Sequence, residues 1–259
     1  MDNDALLGYS GFVGSSLLRQ RSFEHQFRST NITDIHAREF DLAICAAAPA
    51  QKWLANKEPD KDQANMQGLI SHLGKMHCKQ FVLISTVDVF ADPENVDEST
   101  PTTMDGLHPY GQNRLHLERF VRERFPEALI IRLPGLVGPG LRKNIIYDFL
   151  NDNNLSAIDS RHRFQFYPMV NLWSDIQLLL KQSEPLVHLT AEPVSVEEVA
   201  TEGFNLHFRR EVAETPISYN FRTRFSSFWG QKTDYQYSKK ESLLAIRAYA
   251  QSEPKTPKN

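Results

Sequence analysis

The feature that most constrains this chain is an alternation. In the first half, short and nearly continuous apolar runs take turns with amphipathic segments. Strands are expected at Ala5-Leu6-Leu7, weakly at Gln26 to Thr30, then at Phe40 to Ala46, Phe81 to Ile84 and Leu129 to Leu133. Helices are expected between them. Phe12 to Arg19 is one. Asp60 to His77 carries Leu69, Ile70, Leu73 and Met76 on one stripe. Pro109 to Phe125 carries Leu117, Phe120, Val121 and Phe125, with Glu118 and Arg122 as an i,i+4 ion pair. Strands apolar on both faces, each followed by a helix, imply a parallel sheet covered on both sides.

The second half is more mixed. Helices are expected at Ile145 to Leu150, Trp173 to Gln182 and Lys239 to Ala250, and strands at Leu186 to Leu189 and Ile217 to Phe221. Ser195-Val196-Glu197-Glu198 has capping-box spacing and predicts a helix running to about His207. No Gly/Ser linker divides the chain, so a second lobe must be woven from insertions. The expected division is a dinucleotide-binding unit at 1–135 plus about 167–190. A smaller substrate lobe takes about 136–166 plus 191–250, and 251–259 is a loose tail.

Composition narrows the function. The 259 residues carry 29 Lys+Arg against 32 Asp+Glu, a formal charge of −3. That leaves no broad positive field for nucleic acid. Two cysteines, Cys45 and Cys78, cannot build a disulfide framework, which points to a reducing, cytoplasmic setting. The acidic start lacks the basic region of a signal peptide, and no apolar run approaches a membrane span. The nine His form no metal-binding spacing. His72 and His77, five apart, do not share a helix face, so no metal is expected.

Three motifs carry chemistry. Gly8-Tyr9-Ser10-Gly11-Phe12-Val13-Gly14 lies between the first strand and the first helix. Glycines there permit a tight turn and close backbone approach to a pyrophosphate, at a helix N-terminus whose N–H groups favour anions. Ser85-Thr86-Val87-Asp88-Val89-Phe90 follows the Phe81 to Ile84 strand and is, alone, ordinary turn chemistry. Tyr110 and Arg114 share one helix face, where a fixed cation favours phenolate and suits a general acid/base. The plain alternative is a surface Tyr beside a solvated Arg.

Together these motifs resemble the extended short-chain dehydrogenase/reductase family, in its sugar-nucleotide epimerase, dehydratase and reductase branch. Gly8, Gly11 and Gly14 match its glycine motif, and Cys45-Ala46-Ala47-Ala48-Pro49 its strand end beside the adenosine. Asn65 matches an Asn on the next helix, Thr86 the Ser/Thr four residues before an aromatic, and Tyr110-x-x-x-Arg114 the Tyr-x-x-x-Lys motif. Arg132 to Gly138-Pro139 matches a later stretch. The likeness is specific over about residues 5–140. The Ser-Thr-x-x-Val-Phe segment is most similar to reductases that finish deoxy-sugar nucleotides.

The resemblance implies a Rossmann-like doubly wound α/β fold with a smaller C-terminal lobe. It implies an NAD(P)-dependent enzyme acting on a sugar nucleotide or a similar hydroxyl or carbonyl compound. Thr86 and Tyr110 would serve the reacting oxygen, with Arg114 in place of Lys. The cofactor would lie against Gly8, Ser10, Gly11, Phe12, Val13, Gly14, Ala46, Ala47, Ala48, Ser85, Tyr110, Arg114 and Pro134. Family members also suggest a homodimer. Two departures stand out. The guanidinium of Arg114 is larger and more rigidly forked than an ammonium, which opens an alternative: a non-catalytic NAD(P)-binding sensor or scaffold. No acidic residue follows the glycines at the usual distance. Arg28 and Ser29 stand there instead, suiting a 2′-phosphate and favouring NADP over NAD, unless Arg28 is merely a solvated strand-end cation. Trp53, Arg142, Asn144 and Tyr147, with Lys143, are the weaker candidates for substrate contact, on their cationic and aromatic character.

Overall fold

The computed structural model describes residues 3–257. They form two compact units, one of residues 3–92, 99–132 and 172–187, the other of 93–98, 133–171 and 188–257.

The first unit is built on a six-stranded parallel sheet with the order β2-β1-β3-β4-β5-β9. Its strands are β1 (Asp4–Leu7), β2 (His25–Phe27), β3 (Glu39–Cys45), β4 (His77–Thr86), β5 (Leu129–Leu133) and β9 (Leu186–His188). Around it lie α1 (Phe12–Gln20), α2 (Lys52–Lys57), α3 (Pro59–Leu73), α4 (Pro109–Arg124) and α6 (Leu172–Leu179). Alternate strand residues build the core on one face: Ala5, Leu7, Ala43, Cys45, Phe81, Leu83 and Ile130 are buried there. Met66, Leu69 and Leu73 of α3 and Leu117, Val121 and Phe125 at α4 cover them. The Phe81 and Phe125 rings stack 4.3 Å apart. Each such side chain contributes roughly 1.5–3 kcal/mol on burial, enough to fix which way α3 and α4 face. Toward α6, Arg21 lies between the Phe23 and Trp173 rings at 4.4 and 4.2 Å and pairs with Asp4 at 2.6 Å.

The chain runs from β1 to β2 on one side and then to β3 on the other, in register Leu7 with Phe27 and Leu7 with Cys45. The sheet order therefore reverses at β1, the place where open α/β sheets bind ligands beyond their strand ends.

The second unit holds two short ladders, β6 (Gly135–Val137) beside β8 (Phe166–Pro168) and β7 (Arg163–Phe164) beside β10 (Val194–Ser195). Its helices are α5 (Ile145–Asn151), α7 (Val196–Glu198) and α8 (Lys239–Ser252).

Four expectations need correction. The third helix stops at Leu73, and His77 already belongs to β4, because Gly74 and Lys75 turn the chain into the sheet. The Ser195–Glu198 capping box forms, but the helix widens into a π turn at Val199–Gly203 and ends. A Cβ at Gly203 would sit 2.6 Å from Ile246 of α8, so the neighbouring helix limits this one. Ile217 to Phe221 makes single bridges at Ser218 and Phe221 rather than a strand, and the Phe221 N–H donates to the Gln165 side chain. The segment after Gln251 is not loose as far as Thr256. Glu253 accepts from the Gly140 N–H at 2.9 Å, Lys255 pairs with Asp152, and the Thr256 N–H donates to Asn151 at 2.6 Å. Residues 258–259 lie outside the described residues.

Candidate active site

The glycine turn shows a division of labour among its three glycines. Gly8 has φ +87°, and a Cβ there would lie 2.4 Å from the Ala46 carbonyl oxygen. A Cβ at Gly14 would lie 2.2 Å from the Gly8 carbonyl oxygen. Both positions need glycine to build the turn itself. Gly11 differs: it is exposed, has φ −76°, and its Cβ would meet only the Gly8 carbonyl at 3.4 Å. The fold does not demand glycine at 11, yet a side chain there would project over the start of α1. No side chain caps that helix start. An exposed, uncapped N-terminus with a bare Cα before it fits a pyrophosphate. Ser10, Phe12 and Val13 line the same turn.

Neighbouring strand ends flank it. Ala46, Ala47 and Ala48 follow β3 and are half-buried, with the Ala46 N–H donating to Leu7 at 2.9 Å. Arg28 and Ser29 follow β2 and are exposed. The Arg28 guanidinium sits 5.9 Å from the Tyr9 ring and donates to Thr30 at 3.0 Å. Sequence spacing thus located a cation that stands beside the glycine turn.

At the end of β4 the two hydroxyls part ways. Ser85 points inward and donates to Glu118 at 2.6 Å, and Glu118 is also held by Arg132 at 2.7 Å. This predicted cofactor residue is thereby tied to a buried ion pair. Arg122, the expected partner of Glu118, stands farther off at 3.6 Å. Thr86 closes a turn with Asp88: the Asp88 N–H donates to the Thr86 hydroxyl at 3.2 Å, which donates to the carboxylate at 3.3 Å. Lys52 of α2 pairs with that carboxylate at 2.7 Å.

The first turn of α4 rests directly on this segment. A Cβ at Gly111 would lie 2.2 Å from the Asp88 carbonyl oxygen, so glycine here lets Tyr110 approach Thr86's turn. His108 caps the helix, its Nδ1 accepting from the Gly111 N–H at 3.0 Å, and Asn56 accepts from the Tyr110 N–H at 3.0 Å. Tyr110 is buried, and burial pushes its phenol above the ordinary range, opposed by Arg114. Burial also lowers His108, with the Lys52 cation adding to it and Asp88 opposing.

Arg114 is only 3% exposed and Asp62 5%. Their contact is bidentate, Nη1 and Nη2 to the two carboxylate oxygens at 2.6 and 3.1 Å. Nη2 also donates to the Pro49 carbonyl, and Asn113 donates to Asp62 at 2.8 Å. The guanidinium carbon lies 4.0 Å from the Tyr110 ring centroid. Its Nε is buried without a hydrogen-bond partner. The expected stand-in for Lys is thus beside Tyr110, but its paired donors face α3 and the loop after β3. Asp62, Lys52 and Asp88 were not foreseen.

The description NAD dependent epimerase/dehydratase family matches residues 5–158, more than half the chain. The chain belongs to this family. A search of curated protein sequences finds no significant match. Among solved structures, a UDP-glucose 4-epimerase from Thermotoga maritima shares 14% identity at TM-score 0.72, covering 96% of this chain and 98% of its own. A dTDP-4-dehydrorhamnose reductase from Bacillus anthracis, in complex with NADP, shares 18% at 0.73, covering 95% and 99%. The Bordetella bronchiseptica enzyme WbmG, in complex with NAD, shares 15% at 0.73, covering 96% and 94%. These likenesses extend along nearly the whole chain and agree with the Rossmann-like sheet of the first unit.

Against the epimerase/dehydratase pattern, the weaker candidates scatter. Trp53 of α2 is 66% exposed. Arg142, Asn144 and Tyr147 belong to the second unit, as does Pro134, expected at the cofactor. Asn144, at φ +84°, caps α5 by accepting from the Ile146 N–H at 2.9 Å and donates to the Leu136 carbonyl. The Tyr147 hydroxyl donates to Thr256 at 3.2 Å. Both have structural work that sequence did not reveal. Asn65, matched on the third helix, is exposed. Among the described residues no helix is long and apolar enough to cross a membrane, and no group of three or more His, Cys, Asp or Glu is placed to hold a metal.

Proposed function

We propose that this chain binds a nicotinamide dinucleotide, NADP in preference to NAD, and interconverts a hydroxyl and a carbonyl on a sugar nucleotide. The observation that carries this reading is the seating of Tyr110's helix turn on the Asp88 carbonyl, beside Thr86. A proton-transferring phenol and a hydrogen-bonding hydroxyl thereby share one end of the sheet with the bare glycine turn. The pyrophosphate would rest on Gly8, Gly11 and the start of α1, and the adenosine side would meet Arg28 and Ser29. A bound nicotinamide supplies or accepts the hydride. Tyr110 exchanges a proton with the substrate oxygen, and Thr86 hydrogen-bonds that oxygen.

The test is nicotinamide absorbance with a panel of nucleotide sugars and calorimetry with NADPH and NADH. Turnover lost in Tyr110→Phe with nucleotide affinity kept supports the mechanism. Gly11→Val should abolish nucleotide binding while the fold persists, since φ −76° suits valine. Equal affinity in that variant removes the site. Tighter NADH binding reverses the cofactor preference.

A second reading rests on Arg114. Its two terminal nitrogens are held by Asp62 and Pro49, which favours a nucleotide-binding sensor or scaffold without turnover. Tight nucleotide binding with no activity across the panel selects it.

A further inference from the structure

The charges around Tyr110 come in matched pairs. Arg114 shares α4 with the phenol, and its partner Asp62 comes from α3. Asp88 lies in the turn after β4, and its partner Lys52 comes from α2. His108, at the helix start, has its ring 6.1 Å from the Tyr110 ring and uses Nδ1 as a helix cap. Arg114, Asp62 and Asp88 therefore act on the phenol, and Lys52 pairs with the last of them. A phenolate gains most from a lone cation, and a bidentate guanidinium–carboxylate pair is nearly neutral seen from outside. The same pair holds the guanidinium carbon 4.0 Å from the ring centroid, so the cation beside the phenol and the carboxylate that opposes it are set by one contact.

We propose that Asp62 is a positioning residue that holds Arg114 against Tyr110 and helps keep the phenol protonated near neutral pH, ready to give its proton to the oxygen of a sugar-nucleotide carbonyl. This rests on the reading of Tyr110 given above. In the step, the carbonyl carbon gains a hydride drawn from reduced nicotinamide, which is oxidised. The carbon–oxygen π bond breaks toward oxygen, the oxygen takes the Tyr110 proton, and the phenolate recovers a proton from water. The direction of the phenol's shift agrees, since burial outweighs Arg114.

The deciding experiment is an ultraviolet phenolate titration of the protein without nucleotide, taken as the difference between wild type and Tyr110→Phe. It needs no turnover. Tyr110 should titrate above the ordinary value of about 10. Asp62→Asn should bring it down by about one pH unit, a tenfold rise in phenolate at a given pH, and shift the reduction profile the same way. Because Asp62→Asn strands a buried guanidinium, the double variant Asp62→Leu/Arg114→Met accompanies it. Removing a neutral pair should leave the phenol within about half a unit of wild type. A wild-type midpoint at or below the ordinary value overturns the proposal, as does a rise of more than a unit in the double variant. Failure of the broader reading looks different: nucleotide does not bind, whatever the phenol does.

Discussion

Helix α4 makes two buried arginine–carboxylate pairs, and they are built differently. Toward β5, Glu118 takes Arg132 side-on, through Nε at 2.9 Å and Nη2 at 2.7 Å, while Ser85 donates to the same carboxylate. Toward α3, Arg114 meets Asp62 end-on through its two terminal nitrogens, and Nε is left buried without a partner. The first pair lies beneath the Phe90 ring at 5.1 Å, and the second beneath the Tyr110 ring at 4.0 Å. Identical chemistry thus serves two ends. Side-on pairing uses the fork that holds a strand to a helix. End-on pairing leaves Nε buried without a partner, on the arginine whose guanidinium carbon lies 4.0 Å from the ring of the candidate catalytic phenol. A buried ion pair is weak evidence of stability but strong evidence of fixed geometry.

The comparison breaks most visibly at Glu118. Glu118→Leu leaves Arg132 charged and buried, and should cost about 3–5 kcal/mol in denaturant unfolding. Adding Arg132→Met should return most of it. A double variant no more stable than the single one would mean the pair itself holds the fold. Next come the two Arg→Lys exchanges. Arg132→Lys gives up one charged hydrogen bond, about 1.5–3 kcal/mol in the same assay. Arg114→Lys also loses two-point pairing with Asp62 and its hold on Pro49, so turnover should fall roughly tenfold, about 1.4 kcal/mol. The family resemblance implies the opposite, a rate kept or raised by restoring the usual Lys, and steady-state kinetics decides.

A third arginine pair sharpens the contrast through pH. Asp159 is held well below the usual carboxylate range, first by Arg161, then by the Ala213, Val212 and Arg161 N–H groups. A depressed folded-state pKa stabilises the protein above the unfolded value of about 3.9 and is lost as pH falls toward the folded value. Melting temperature should therefore decline below about pH 4, less steeply in Asp159→Asn. The smallest effect belongs to Lys61, 71% exposed in its pair with Glu58. Lys61→Ala should change unfolding free energy by less than about 1 kcal/mol.

Much of the first unit was legible because its signals are local. Periodicity marked α3 and α4, apolar runs marked β3, β4 and β5, and the glycine spacing marked the turn after β1. Asp62 was illegible for the opposite reason. It stands in Asp60-Lys61-Asp62, a charge run that reads as a solvated helix face, and its partner lies 52 residues away. Lys52 hid likewise in a six-residue helix too short to show a period. Asn144 and Tyr147 have residue types that suit substrate contact, and their capping and tertiary hydrogen bonds were not legible in the sequence. The predicted strand at Ile217 to Phe221 has the right composition, yet side-chain and single-bridge contacts take its backbone groups.

The discontinuous second unit also has a history in time. Its pieces at 93–98 and 133–171 leave a ribosome before residues 188–259 exist. At roughly 5–20 residues per second, several seconds separate the completion of the first unit at Val187 from the emergence of Thr256. Meanwhile Phe166 and Tyr167, fully sheltered in the finished protein, lack Ser242 of α8 and the Tyr237 ring that later meet them. The shelter of Phe166 and Tyr167 thus waits on the last segment to be made, a delay set by the order of segments rather than by the strength of any contact.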